Sequence, residues 1–195
     1  MDLPEYEYIL RNGTRDGYIE PETDEPFALA LPLTKEEIEK VGIRYVIGAA
    51  HWRMDIIQGK AYDESVEATA KEWHRLQMWL LNDERVTVLG HPWWNSKGLW
   101  YEDFSLIPKW MNEEMGEKLK KSGKFVECNA GILASHKASE KFKYQYAEFL
   151  REYFEMGIPV VYGSDAHNEY KGNHVEIEKY LAAAGFKPGD FSEVI

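Results

Sequence analysis

The chain is short of the residues that mark several protein classes. It has one cysteine, Cys128, so no intramolecular disulfide can form. That agrees with a reducing compartment, and the cytoplasm is the expected location. Cys128 lies inside an apolar run and reads as a buried core thiol. No apolar stretch reaches the roughly 18 residues of a membrane span, so no membrane partner is expected. The segment Met1–Glu7 is acidic and has no apolar stretch, so no secretory signal is expected. Basic residues are the minority, 23 Lys and Arg against 34 Asp and Glu, for a net charge of −11. A nucleic-acid surface needs a basic stripe, so nucleic acid is excluded as an expected partner. A phosphorylated small molecule stays compatible, because a bound metal ion can supply the missing positive charge locally. Repeats, low-complexity tracts and long linkers are also lacking, and residues 1–195 read as a single domain.

What the chain does have is four short apolar runs that each end in polar, metal-type residues. Tyr45-Val-Ile-Gly-Ala-Ala-His51 and Val86-Thr-Val-Leu-Gly-His91-Pro92 end in histidines. Phe125-Val-Glu127-Cys-Asn129 carries a carboxyl group and an amide. Pro159-Val-Val-Tyr-Gly-Ser-Asp165-Ala-His167 ends in an Asp-x-His pair. β-Branched runs of this length read as buried parallel strands. In barrels of parallel strands the catalytic residues come from the C-terminal ends of several strands. His51, His91, Asp165 and His167 fall at such ends, which points to one shared metal centre.

Helical patterns separate these runs. Thr34-Lys-Glu-Glu37 is a capping box opening a short helix to Lys40. Further helices are predicted near 64–81, 112–121, 137–156 and 174–184. In the fourth of these five, Phe142, Tyr146, Phe149, Tyr153 and Met156 form the apolar stripe, and Gly157 is its stop. Gln77 is a polar break in the stripe of the second. Before residue 34, Glu5–Leu10 reads as a strand, Gly17–Glu20 as its hairpin partner and Pro21–Pro32 as loop. The fold class is therefore α/β, a parallel sheet or barrel with about five or six strands. A closed eight-stranded barrel usually takes about 250 residues. The sheet is thus expected to be open, or the barrel incomplete.

Imidazole nitrogen and carboxylate oxygen suit zinc, manganese or iron. Asp165 and His167, two residues apart, share one face of an extended segment. Glu127 and Asn129 do likewise; they either orient a ligand or form a satisfied pair at a strand end. His74, His136 and His174 read as surface or packing residues. Seven tryptophans are present, and Trp52, Trp93, Trp94 and Trp100 follow His51 or His91 closely. They are either aromatic walls of a cleft or core. Arg53 and Lys97 are either phosphate contacts or solvated charges.

Four motifs in this order resemble the polymerase and histidinol phosphatase (PHP) family: Tyr45–His51, Val88-Leu-Gly-His-Pro92, Val126-Glu-Cys-Asn129 and Val160-Val-Tyr-Gly-Ser-Asp-Ala-His167. The resemblance covers roughly residues 43 to 185. It implies a distorted (β/α)7 barrel with a metal cluster at the C-terminal strand ends. It also implies hydrolysis of phosphate esters. Carried over by motif, His51 and His91 are ligands of one metal, and Asp165 and His167 serve further metal positions. Glu7, in Tyr6-Glu7-Tyr-Ile-Leu, best matches the family's bridging glutamate, with Glu5 as the fallback. One departure is large: family members open on a His-x-His motif, and this chain has none and no histidine before His51. The implied barrel is therefore incomplete, with its first strands missing and an open edge. Association of two chains would cover that edge.

The expected activity is that of a divalent-metal-dependent (Zn, Mn or Fe) phosphoesterase. Metal-bound hydroxide would attack a monoester of the histidinol-phosphate kind, and Asp165 or His167 would act as base. Two alternatives stand beside it, a degenerate non-catalytic binding module and a metal-dependent amidohydrolase.

Overall fold

A computed structural model describes residues 34–40, 42–51, 61, 63–164 and 174–193 of the 195. The strand–helix alternation expected from the apolar runs is present there. In chain order come α1 (Lys35–Lys40), β1 (Ile47–Gly48), α2 (Val66–Asn82), β2 (Val88–Leu89) and α3 (Lys109–Ser122). Then follow β3 (Phe125–Asn129), α4 (Ala130–Leu133), α5 (Glu140–Glu155), β4 (Val160–Gly163) and α6 (His174–Ala183). Two 3-10 turns, Phe104–Leu106 and Pro188–Asp190, complete the set.

The four strands form one parallel sheet in the order β1-β2-β3-β4. Consecutive order with right-handed crossovers sets the connecting helices on the same face. That face holds the core. Leu89, Val126, Cys128 and Val160 point into it and join Trp73, Leu80, Met115, Leu119, Phe142 and Tyr146 in one apolar cluster. Gly48 lets β1 close on this layer. A Cβ there would come within 2.8 Å of Val86 Cγ2 and 3.1 Å of Leu80 Cδ2. Ile47, Val88, Glu127, Val161 and Gly163 alternate onto the opposite face.

Local sequence explains most element ends. The capping box at α1 forms as expected: Glu37 N–H donates to Thr34 Oγ1 (3.2 Å), and Thr34 N–H to Glu37 Oε2 (2.8 Å). Ser65 caps α2 by accepting from Ala68 N–H at 3.2 Å. α5 starts at Glu140, later than the apolar spacing predicts, because the Ser139 hydroxyl accepts from Phe142 N–H and sets the first turn. Its stripe is buried as expected at Phe142, Tyr146, Phe149 and Tyr153. Each such side chain contributes about 1.5–3 kcal/mol of transfer free energy. Gly157 ends the helix segment in the left-handed region, at φ +83°.

Three points differ from expectation. β1 and β2 are shorter than their apolar runs, although Thr87 and Val88 N–H both donate to Val46 C=O and Gly90 N–H to Gly48 C=O. The ladder stops there because the backbone turns at His91. α3 begins at Lys109 rather than near 112, directly after Pro108, a residue well suited to a helix start. The short helix α4 was not predicted; Asn129 Oδ1 caps it from the end of β3. Four strands are seen among the described residues. The expected strand Glu5–Leu10, its partner Gly17–Glu20 and the loop Pro21–Pro32 lie outside them. No described helix is long and apolar enough to cross a membrane.

Candidate functional site at the strand ends

The structure brings His51 and His91 together beyond the C-terminal ends of β1 and β2. Their Nε2 atoms lie 3.1 Å apart. The rings meet edge to face, with centroids 4.7 Å apart and planes at 79°. Trp94 forms a wall against both, its ring 5.6 Å from each imidazole. His51 is exposed and His91 partly buried, so the pair is open to solvent.

The turn His91-Pro92-Trp93-Trp94 aims the second imidazole. Leu89 faces the helices, so alternation would send His91 there too. Instead its backbone enters the positive-φ region, at +26°, and Trp93 follows at +63°. His91 C=O accepts from Trp94 N–H at 3.0 Å. Proline second and positive φ third are the marks of a type II turn, where glycine normally takes the third place. A bulky residue in that conformation costs about 1–3 kcal/mol, and packing offsets it. Trp93 is buried and donates from Nε1 to Asn112 Oδ1 at 2.7 Å. Its backbone N–H reaches Gln77 Oε1 at 3.1 Å. Pro92 C=O accepts from Tyr146 Oη at 3.1 Å, and Trp94 C=O from Trp73 Nε1 at 2.5 Å. The polar break in the α2 stripe thus has a purpose, since Gln77 satisfies a backbone donor of this turn.

Beneath the turn lies Glu127, only 7% exposed. Its Oε2 accepts from His91 N–H at 2.5 Å and from Asn129 Nδ2 at 3.3 Å. Asn129 in turn caps α4 through Oδ1. The two readings of this pair therefore merge: it is satisfied at a strand end, and it braces the backbone of His91.

Other expectations resolve individually. Cys128 is fully buried, and burial pushes its thiol pKa up. His74 packs on Trp110, and His136 is exposed. Trp93 and Trp100 are core, whereas Trp94 is a wall of the site. Lys97 is exposed and pairs with Glu64 at 2.8 Å. Glu5, Glu7, Trp52, Arg53, Asp165 and His167 lie outside the described residues, as does the side chain of His174. The contributions of Gln77 and Gly163 were not anticipated. A lone glutamine in an apolar helical stripe was the available sign of the first.

The donor pair can be tested against a metal ion. Two imidazoles at 2.0–2.1 Å on a tetrahedral ion place their nitrogens about 3.3–3.4 Å apart, and at right angles about 2.8–3.0 Å. The observed 3.1 Å falls between these values. Among the described residues, no group of three or more His, Cys, Asp or Glu side chains gathers closely enough to hold a metal. The pair is thus two donors that fit a larger set. Without a metal, the tautomers of the two rings set which nitrogen donates and which accepts. No protein-family model, curated protein or solved structure matches this chain.

Proposed function

We propose that the chain is a metal-dependent hydrolase of the phosphoesterase class, built on part of a PHP-type (β/α) barrel. The observation that carries this reading is the convergence of His51 and His91 Nε2 at 3.1 Å beyond adjacent parallel strands. The consecutive strand order supports the barrel component, because a doubly wound sheet reverses its order at a switch point. Its expected position in the cytoplasm accords with a single, buried, unpaired thiol.

In this reading His51 and His91 bind a zinc, manganese or iron ion through Nε2. By motif order, Glu7, Asp165 and His167 complete the set, and Asp165 or His167 also takes a proton from water. A bound ion supplies Lewis acidity and lowers the pKa of water toward neutrality. Trp94 excludes solvent from one side of the imidazoles and packs against the apolar part of a small phosphorylated substrate. With a net charge of −11, the chain offers such a substrate little attraction except at the ion. A second copy covering an open sheet edge belongs to the same proposal.

Elemental analysis of purified chain, beside His51→Ala/His91→Ala, tests this reading. About one metal or more per chain is expected, lost in the double variant, together with turnover on a phosphomonoester panel. Absence of metal after reconstitution with zinc or manganese would overturn it. Metal with turnover only on lactones or amides would move the activity to the amidohydrolase class. Metal without any turnover would leave a binding module.

A further inference from the structure

We propose that Glu127 is the positioning residue of the imidazole pair, and that Gly163 on the neighbouring strand is what admits it. His51 arrives at the site in phase with β1, since Ile47, Ala49 and His51 alternate to one side. His91 is out of phase by one residue and reaches the same place only through its turned backbone at φ +26°. On the opposite sheet face the Glu127 carboxyl grips that backbone, through His91 N–H at 2.5 Å. Glu127 comes from β3, and its own direction is set by Asn129 Nδ2 at 3.3 Å.

The carboxyl lies over β4 where that strand has no side chain. A Cβ built on Gly163 would sit 1.7 Å from Glu127 Oε1 and 2.6 Å from its Cδ. Glu127 pairs with Val161 and Asn129 with Gly163 in register, so both share this face with the glycine. Gly163 does not need a glycine's backbone freedom, because it is absent from the positive-φ residues of the chain. Its requirement is space alone. Any side chain at 163 must push the carboxyl away, and the His91 N–H would lose its acceptor. Positions 127 and 163 are therefore coupled: Gly163→Ala and Glu127→Ala inflict the same lesion on His91.

The inference rests on the metal-binding reading only for its metal readout. The full chain and the variants Glu127→Ala, Glu127→Gln, Gly163→Ala and Glu127→Ala/Gly163→Ala are measured in two ways. The first is the His91 backbone amide proton shift in metal-free protein, and the second is cobalt(II) affinity from the visible spectrum. Glu127→Ala is expected to move the His91 amide upfield and weaken cobalt binding about 10–100-fold, as loss of a ligand's supporting partner does. Glu127→Gln keeps an acceptor oxygen and should stay within about threefold of the parent. Gly163→Ala should match Glu127→Ala, and the double variant should be no worse than either. An unmoved His91 amide in Glu127→Ala would overturn the inference, as would losses that multiply in the double variant. If the parent chain takes up no cobalt, the metal reading fails, and the amide shifts in metal-free protein still decide the role of Glu127. Should Gly163→Ala fail to fold, the contrast between Glu127→Ala and Glu127→Gln decides it.

Discussion

His74 shows how one side chain can report on packing. It lies on the buried side of α2, edge-on to Trp110 at 5.1 Å, with Nε2 3.3 Å from Glu114 Oε2. Burial lowers its pKa below the ordinary 6.5, and the Glu114 charge offsets this only in part. The folded chain therefore binds this proton more weakly than the unfolded chain. Stability then rises with pH between the lowered folded-state value and 6.5. Above that window the contribution is complete, and it is lost as the pH falls through it. Urea midpoints taken from about pH 5 to 7.5 should show this slope in the parent chain. His74→Gln should flatten it, and an unchanged slope would place its origin elsewhere. Gln77, one turn along the helix, illustrates the other side of residue-level reading. Its amide accepts from Trp93 N–H and donates to Trp73 C=O, so an apparent flaw in an apolar stripe is a bridge to the turn carrying His91.

At the scale of elements, the caps carry stability out of proportion to their size. The Ser139 hydroxyl accepts from Phe142 N–H at 3.0 Å and donates to Glu102 C=O at 2.9 Å. It both opens α5 and ties that helix to the loop before the Phe104–Leu106 turn. Ser139→Ala is expected to lower unfolding stability by about 1–2 kcal/mol, since two hydrogen bonds go at once. The Ser65 hydroxyl also makes two bonds, accepting from Ala68 N–H and donating to Asp63 Oδ2, but both are exposed, so Ser65→Ala should cost less, about 0.5–1 kcal/mol. Urea denaturation of the two variants, compared at equal m-value, checks the order. These caps were partly legible in advance. The Thr34–Glu37 box is a signature readable from spacing alone, and it forms. α4 was not legible, because the residue that caps it, Asn129, also belongs to the strand before it and to the Glu127 pair. A residue with three tasks has no single local pattern.

Over the whole molecule, the helices on one face of the sheet form a continuous core that reaches from Trp73 and Leu80 to Tyr180 and Phe186. Cys128 belongs to it, fully buried, and burial holds its thiol protonated. A thiol in that state is inert until the chain opens. Reaction of Cys128 with an aromatic disulfide reagent should therefore be negligible in native buffer. In urea it should appear with the same midpoint as the loss of helical circular dichroism. Coincident midpoints are expected of one cooperative domain; thiol reactivity at lower urea would mean that the β3 region opens separately.

Much of the architecture follows from the sequence alone. Strand–helix alternation, four strand positions, the α5 stripe and the burial of Cys128 all come from hydrophobic periodicity and local capping, which act over a few residues. Periodicity also set His51 and His91 at strand ends, since polar residues that close a buried run emerge where the run does. Whether two such residues meet is a different matter, because they lie 40 positions apart. That was decided by strand order, which makes β1 and β2 neighbours, and by the positive-φ turn at His91. The turn in turn depends on Gln77 from α2, Tyr146 from α5 and Glu127 from β3. The space for Glu127 beside Gly163 is likewise a tertiary fact, for a glycine at a strand end reads as a turn until the neighbouring carboxyl is seen against it. Local sequence places donors on elements. The packing of those elements decides which donors converge, because only a folded core can hold a backbone in a conformation its own residues disfavour.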